Sequence, residues 1–113
     1  MNKSSLTEAL TYNDDKVAIT VLIDTENTKE IRIVMRKGQE MKKHQTAFPI
    51  VVEIFEGAID FGVEDDIHHL KKGDLVALGG SIPHDLKATA DSIIRLSLSK
   101  KDQTQRVKNV VDK

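Results

Sequence analysis

The chain contains no cysteine, which excludes a disulfide framework, a thiolate metal site and a cysteine nucleophile. Any metal it held would have to sit on histidine, carboxylate or hydroxyl oxygen. Long apolar runs are missing too: nothing approaches the length of a membrane span. Met1 to Thr11 carries neither a basic flank followed by an apolar stretch nor a small-residue cleavage signal. A soluble, cytoplasmic protein is the expectation. Nor is there an excess of charge of one sign. The 17 Lys and Arg stand against 18 Asp and Glu, so no global field draws in nucleic acid or an anionic membrane. The pattern of a helix-turn-helix is absent, which argues against direct DNA binding. No glycine-bracketed nucleophile elbow surrounds Ser81, and Gly79 and Gly80 are not followed by the strand-to-helix transition that a phosphate-binding loop needs.

What is present is short apolar alternation, repeated along the chain and broken by turn residues, without a sustained helical stripe. That pattern predicts an all-β sandwich or barrel. Val17, Ile19, Val21 and Ile23 alternate on one face, and Ile31, Ile33 and Met35 repeat the pattern before the turn at Lys37 and Gly38. Further strands are expected over 50–55, 58–63, 67–70, 75–78, 84–88 and 92–98. Tight reversals are expected at Glu56–Gly57 and Lys72–Gly73–Asp74, where glycine tolerates a positive φ. The 113 residues make one domain, with a core over about 16–99, a short N-terminal segment over 1–15 and a charged tail over 100–113. Residues 5–9 fit either a short helix or a strand. In the tail, Val107, Val110 and Val111 sit at roughly helical spacing, in what reads as a frayed or weakly helical end.

Two histidines stand in frames of glycine and proline. His44 follows Gly38 and precedes Gly57, while His84 follows Gly73 and comes directly after Pro83. These paired frames resemble the two motifs of the cupin superfamily, small RmlC-like jelly-roll barrels built as a double-stranded β-helix. The resemblance spans about Ile31 to Leu98. It is nearest to small single-domain bacterial members, with Pro83, His84 and Asp85 followed by Ala90, Asp91 and Ser92. It implies a barrel whose histidines face a central pocket, and a homodimer.

In the usual metal site of that superfamily, two histidines and a glutamate of the first motif join one histidine of the second. Here His44 and His84 match, but Thr46 stands for the second histidine and Ile50 for the glutamate. In the second motif Gly79 replaces proline, Ser81 glycine and Ala88 asparagine. The resemblance therefore implies a degenerate metal motif. Two imidazoles and a neutral hydroxyl fall short of the three protein ligands that tight divalent binding normally needs. Iron, zinc, nickel or manganese would need a third ligand, for which Glu40, in the turn before His44, is the nearest candidate.

Strand parity then sets the expected pocket. If His44 points inward, so do Thr46 and Phe48. Beyond Pro49, Ile50, Val52 and Ile54 share one face, and His84 shares its face with Leu86 and Ala88. The expected lining is His44, Thr46, Phe48, Ile50, Val52, Met35, His84 and Leu86. Glu53 and Asp85 face away. His68 and His69 are adjacent on a strand and so cannot ligate one metal together. With Glu64, Asp65, Asp66, Lys71 and Lys72 around them they read as an exposed hairpin, and Lys42 and Lys43 read as solvated.

These residues fit a protein that binds a small molecule through His44 and His84 without a tightly held metal. The alternative is a metal-dependent cupin enzyme (oxygenase, isomerase or lyase) with an incomplete protein ligand set. Whether there is catalysis is left open. Val51 and Phe55, outward on an apolar strand, mark a face for dimerisation, and a barrel serving purely as an interaction platform is a third possibility.

Overall fold

The computed structural model describes residues 1–100, and the expected tail with Val107, Val110 and Val111 lies outside them. The described residues form nine strands and no helix: β1 (Ala18–Asp24), β2 (Thr28–Met35), β3 (Glu40–His44), β4 (Ile50–Glu56), β5 (Ala58–Val63), β6 (Asp66–Lys71), β7 (Leu75–Leu78), β8 (His84–Ala88) and β9 (Ser92–Ser99). They pair antiparallel into a five-stranded sheet, β1-β2-β9-β4-β7, and a four-stranded sheet, β3-β8-β5-β6. The fold is an all-β, double-stranded β-helix jelly roll. Crossing between sheets through short turns lets each strand bury one face, and the two inner faces make a single core.

That core is built from alternate residues, as period-two patterning requires. In the larger sheet, Ile33 pairs with Ile94 and Ile94 with Ile54; in the smaller, Ala88 pairs with Ile59 and Leu86 with Phe61. All are buried. Outward positions include an ion-paired cluster: Arg95 meets Glu53 at 2.9 Å and Glu30 at 3.7 Å.

Bulges interrupt the alternation in three places. The shift between Val21 and Ile23 sets Ile23 opposite Glu30, an outer-face residue, so Ile23 leaves the face shared by Ile19 and Val21. This corrects the expectation of four residues on one face. A second bulge falls between Ile54 and Glu56. The third separates Met41 from His44 in β3, a strand that the alternation did not reveal because Glu40–His44 holds a single apolar residue.

Residues 5–9 are neither helix nor strand. Ser5 Oγ accepts the N–H groups of Thr7 and Glu8, and the segment lies over the outer face of β2, where Arg32 is 5% exposed. The guanidinium donates to the carbonyls of Ser5, Leu6, Glu8 and Ala9 at 3.0–3.4 Å. A buried charge needs such partners, and backbone oxygens supply them where no carboxylate does.

The two ends of the barrel are tied differently. At one, Asp91 accepts from the Lys37 N–H at 2.8 Å and from Arg36 at 3.1 Å; Arg36 also reaches Asp14 at 2.9 Å and lies 4.6 Å over the Tyr12 ring. The Lys37 N–H, then Arg36, hold the Asp91 carboxyl below the usual carboxylate range. At the other end the 45–49 and 79–83 loops meet: the Ser81 N–H donates to Thr46 O at 2.6 Å, and Gly80 approaches Ala47 so closely that a Cβ would lie 2.4 Å from its carbonyl oxygen.

Candidate functional site

His44 and His84 are cross-strand partners at this second end, β3 against β8. Met41 points into the core opposite Leu86, and by simple alternation residue 44 would point out. The bulge between them restores the inward direction and brings the two rings to a centroid separation of 4.4 Å, tilted by 60°. His84 is 4% exposed and stacks on Phe61 at 5.6 Å and 18°, whereas His44 is half-buried at the rim.

The hydrogen bonds of the rings fix their chemistry. His44 Nδ1 lies 2.7 Å from Lys42 O and His84 Nδ1 2.9 Å from Ile82 O. A carbonyl only accepts, so each Nδ1 carries a proton, and in the neutral ring each Nε2 is then an exposed lone pair. Neither Nε2 has a hydrogen-bond partner among the described residues. Both rings are thereby set as acceptors, tilted against each other.

Beside them lies a cavity of about 20 Å³ lined by Ile33, Met41, His44, Val52, His84, Leu86, Ile94 and Leu96. That is room for roughly one water. Of the expected lining residues, His44, Val52, His84 and Leu86 are found at this cavity. The other four expected lining residues are elsewhere, each for a local reason. β3 ends at His44, so Thr46 is in a loop, its hydroxyl donating to Phe48 O at 2.9 Å, and Phe48 is 37% exposed. Ile50 and Met35 are buried inner-face residues, but they lie one rung beyond the cavity in opposite directions: Ile50 pairs with Leu98 and Met35 with Ser92. Ile33, Met41, Ile94 and Leu96, and the ring partner Phe61, were missing from the expected lining. The alternation of Ile31, Ile33 and Met35 carried the signal for the first, and that of Ile59, Phe61 and Val63 the signal for the last.

Glu40 is not a third ligand. It neighbours the inward Met41 and pairs with Lys87, so it faces outward, into a groove of about 350 Å³ on the far face of the smaller sheet. Lys42, Lys43, Asp60 and Asp85 line the same groove. Glu53 is held by Arg95, and His69 Nδ1 by Asp60 at 2.5 Å. Among the described residues no three His, Asp or Glu side chains converge on a point where an ion would bind. Two imidazoles and an apolar wall do not fit a tightly held divalent metal.

Comparison with solved structures adds the fold. An RmlC-like cupin protein from Desulfovibrio desulfuricans superposes with a TM-score of 0.80 at 22% identity, covering 88% of this chain and 96% of that one. This is the cupin fold. An uncharacterised conserved protein with a double-stranded β-helix domain from Klebsiella pneumoniae gives 0.77 at 16% identity over 84% and 81%. A cupin 2 conserved barrel domain protein from Leptotrichia buccalis gives 0.75 at 23% identity over 82% of this cupin-fold chain and 45% of its own. No protein-family model matches the sequence, and no curated protein does.

Proposed function

We propose that this cupin-fold chain binds a small molecule at the rim of the barrel, through the Nε2 atoms of His44 and His84, without a tightly held metal. What supports the reading is the pair of Nδ1–H bonds to backbone carbonyls, which leave two neighbouring Nε2 lone pairs free on rings that line one small apolar cavity. Such a pair accepts hydrogen bonds, so the preferred ligand group is a hydroxyl or an ammonium. With room for about one water, the cavity admits just that group and the atoms bonded to it. The rest of the ligand lies outside, over the exposed Phe48 and the 45–49 loop.

A second reading, a metal-dependent cupin enzyme, draws on the same observation. Histidines that ligate metals characteristically donate their other ring N–H to a carbonyl or carboxylate. With two protein ligands, that reading requires a chelating substrate to supply the remaining donors.

Ring-resolved histidine NMR separates the two. The full chain is titrated with a set of small polyols and amines, and separately with zinc alone. Saturable shifts at His44 and His84 with a hydroxyl or amine compound, insensitive to chelator, support the first reading. Shifts from zinc at low micromolar concentration, lost in His44→Ala, support the second. Rings that respond to neither overturn both.

A further inference from the structure

The five-stranded sheet is one strand wider than the sheet it faces, so the inner face of β1 is left open and Ile19 and Val21 are 58% and 49% exposed. On the outer face, residues 3–9 lie beside β1 and β2 and form with them an open cleft of about 330 Å³. Arg32 lines this cleft and is 5% exposed. Its guanidinium is poorly served. Nη1, with two hydrogens, is shared among three carbonyls at 3.0, 3.3 and 3.4 Å, and Nη2 reaches a fourth at 3.4 Å. Nε has no partner, and among the described residues it is the one fully inaccessible side-chain nitrogen or oxygen of which that is true. Of five N–H donors, a single one makes a bond of ordinary length.

The charge is as incomplete as the hydrogen bonding. Arg95 stands directly opposite Arg32 in β9, and like charges so placed repel. Arg95 has Glu53 and Glu30 as counter-ions, whereas Arg32 has no ion pair among the described residues. Four carbonyls give it dipoles but no opposite charge. The groove outside the smaller sheet has no such imbalance: its Lys42, Lys43 and Lys87 stand against Glu40, Asp60 and Asp85.

We infer that the cleft under residues 3–9 is an anion site and that its ligand is a small carboxylate held by the Arg32 guanidinium. The planar fork of donors matches a carboxylate in two parallel bonds, so long contacts to carbonyls give way to short, charge-assisted ones. At the rim Lys3 and Glu8, both exposed, oppose each other, which leaves one positive charge to neutralise and favours a monoanion over phosphate. Thr20, the cross-strand partner of Arg32, adds a hydroxyl with no partner among the described residues. Ala9 and Leu22 offer an apolar wall to a short hydrocarbon tail. The volume suits a small ligand. This site lies outside the larger sheet and the imidazole pair inside the barrel, so neither depends on the other.

NMR of the full chain, titrated at fixed ionic strength with acetate, butyrate and hexanoate, tests the assignment, with chloride and inorganic phosphate as comparisons. The reporters are the buried Arg32 Nε–H and the backbone amides of residues 5–9. Butyrate or hexanoate should move them saturably at millimolar concentration or below, and leave the rings of His44 and His84 unmoved. Arg32→Gln, which keeps a polar side chain but loses the charge, should weaken binding roughly 100-fold. Thr20→Phe fills the cleft from an exposed strand position without touching the charge, and should weaken it about tenfold or more. Circular dichroism checks both folds, and Thr20→Phe decides alone if Arg32→Gln does not fold. No response to any carboxylate up to roughly 10 mM overturns the inference. So does a response that survives the folded variants unchanged, or one that phosphate or chloride produces as tightly.

Discussion

Replacing His84 by phenylalanine distinguishes a binding residue from a residue of the core. The ring is 4% exposed, stacks on Phe61, packs against His44 and donates one hydrogen bond to Ile82 O. Truncation to alanine loses all of this. The ring pair is worth about 1 kcal/mol, the hydrogen bond about 1 kcal/mol, and the cavity left behind at least another 1 kcal/mol. The sum is about 3 kcal/mol, or a fall in Tm of roughly 12–24 °C for a domain of this size. Phenylalanine keeps the stack, and the cavity beside His84 takes up its extra volume. It gives up the bond to Ile82 O, about 1 kcal/mol. His84→Phe should therefore lose about 1 kcal/mol where His84→Ala loses about 3 kcal/mol, while abolishing the histidine-dependent ligand response. Urea denaturation followed by circular dichroism measures both variants. If His84→Phe destabilises as much as His84→Ala, the imidazole is serving the fold and its reading as a binding residue is refuted.

Two further perturbations test the frame around the site. Gly57 and Gly73 share nearly the same positive φ, +90° and +93°, but a Cβ at 57 would meet Asp91 O and Ser92 Oγ at 2.3 Å, whereas at 73 it meets nothing within 4 Å. Gly73→Ala should cost about 1–2 kcal/mol, the backbone term alone, and Gly57→Ala about 2 kcal/mol more; equal losses in denaturant melts would show that the close contact relaxes freely. The Asp91 carboxyl is held below its ordinary range, so its contribution to stability is fully present above the unfolded-state value near pH 4 and disappears as pH falls through the lower folded value. The Tm difference between the native chain and Asp91→Asn should accordingly be constant from pH 6 to about pH 5 and shrink below pH 4. A difference that grows on acidification would contradict the Lys37 and Arg36 bonds.

The barrel was legible because its core residues obey a period of two, and His44 and His84 because glycines and prolines frame them. What escaped the sequence was every departure from that period. Parity carried from His44 to Thr46 and Phe48 fails because β3 stops at His44. Carried backward it fails again, because the bulge after Met41 changes the count, so that Met41 and His44, three apart, both face inward while Glu40 does not. Ile23 turns outward at the β1 bulge for the same reason. A bulge adds a residue without any required composition, so alternation in one sequence does not announce it. The exposure of Ile19 and Val21 was hidden for a different cause. They carry an inward pattern, and their exposure follows from the facing sheet having one strand fewer.

The charged ties and the imidazole pair are separated along the barrel axis. β8 runs from the imidazole end at His84 to Ala88, whose carbonyl accepts the Gly38 N–H at the opposite end. At that opposite end Asp91, Arg36, Asp14 and Tyr12 tie three stretches of chain together with charge, far from the two rings. At the imidazole end the loops are held by a backbone bond and by the close approach of Gly80 to Ala47, contacts that fix geometry without placing a charge beside the Nε2 lone pairs. The outward turn of Glu40, Glu53 and Asp85 leaves neither imidazole ion-paired with a carboxylate among the described residues, so it is the carbonyls of Lys42 and Ile82 that orient the two rings.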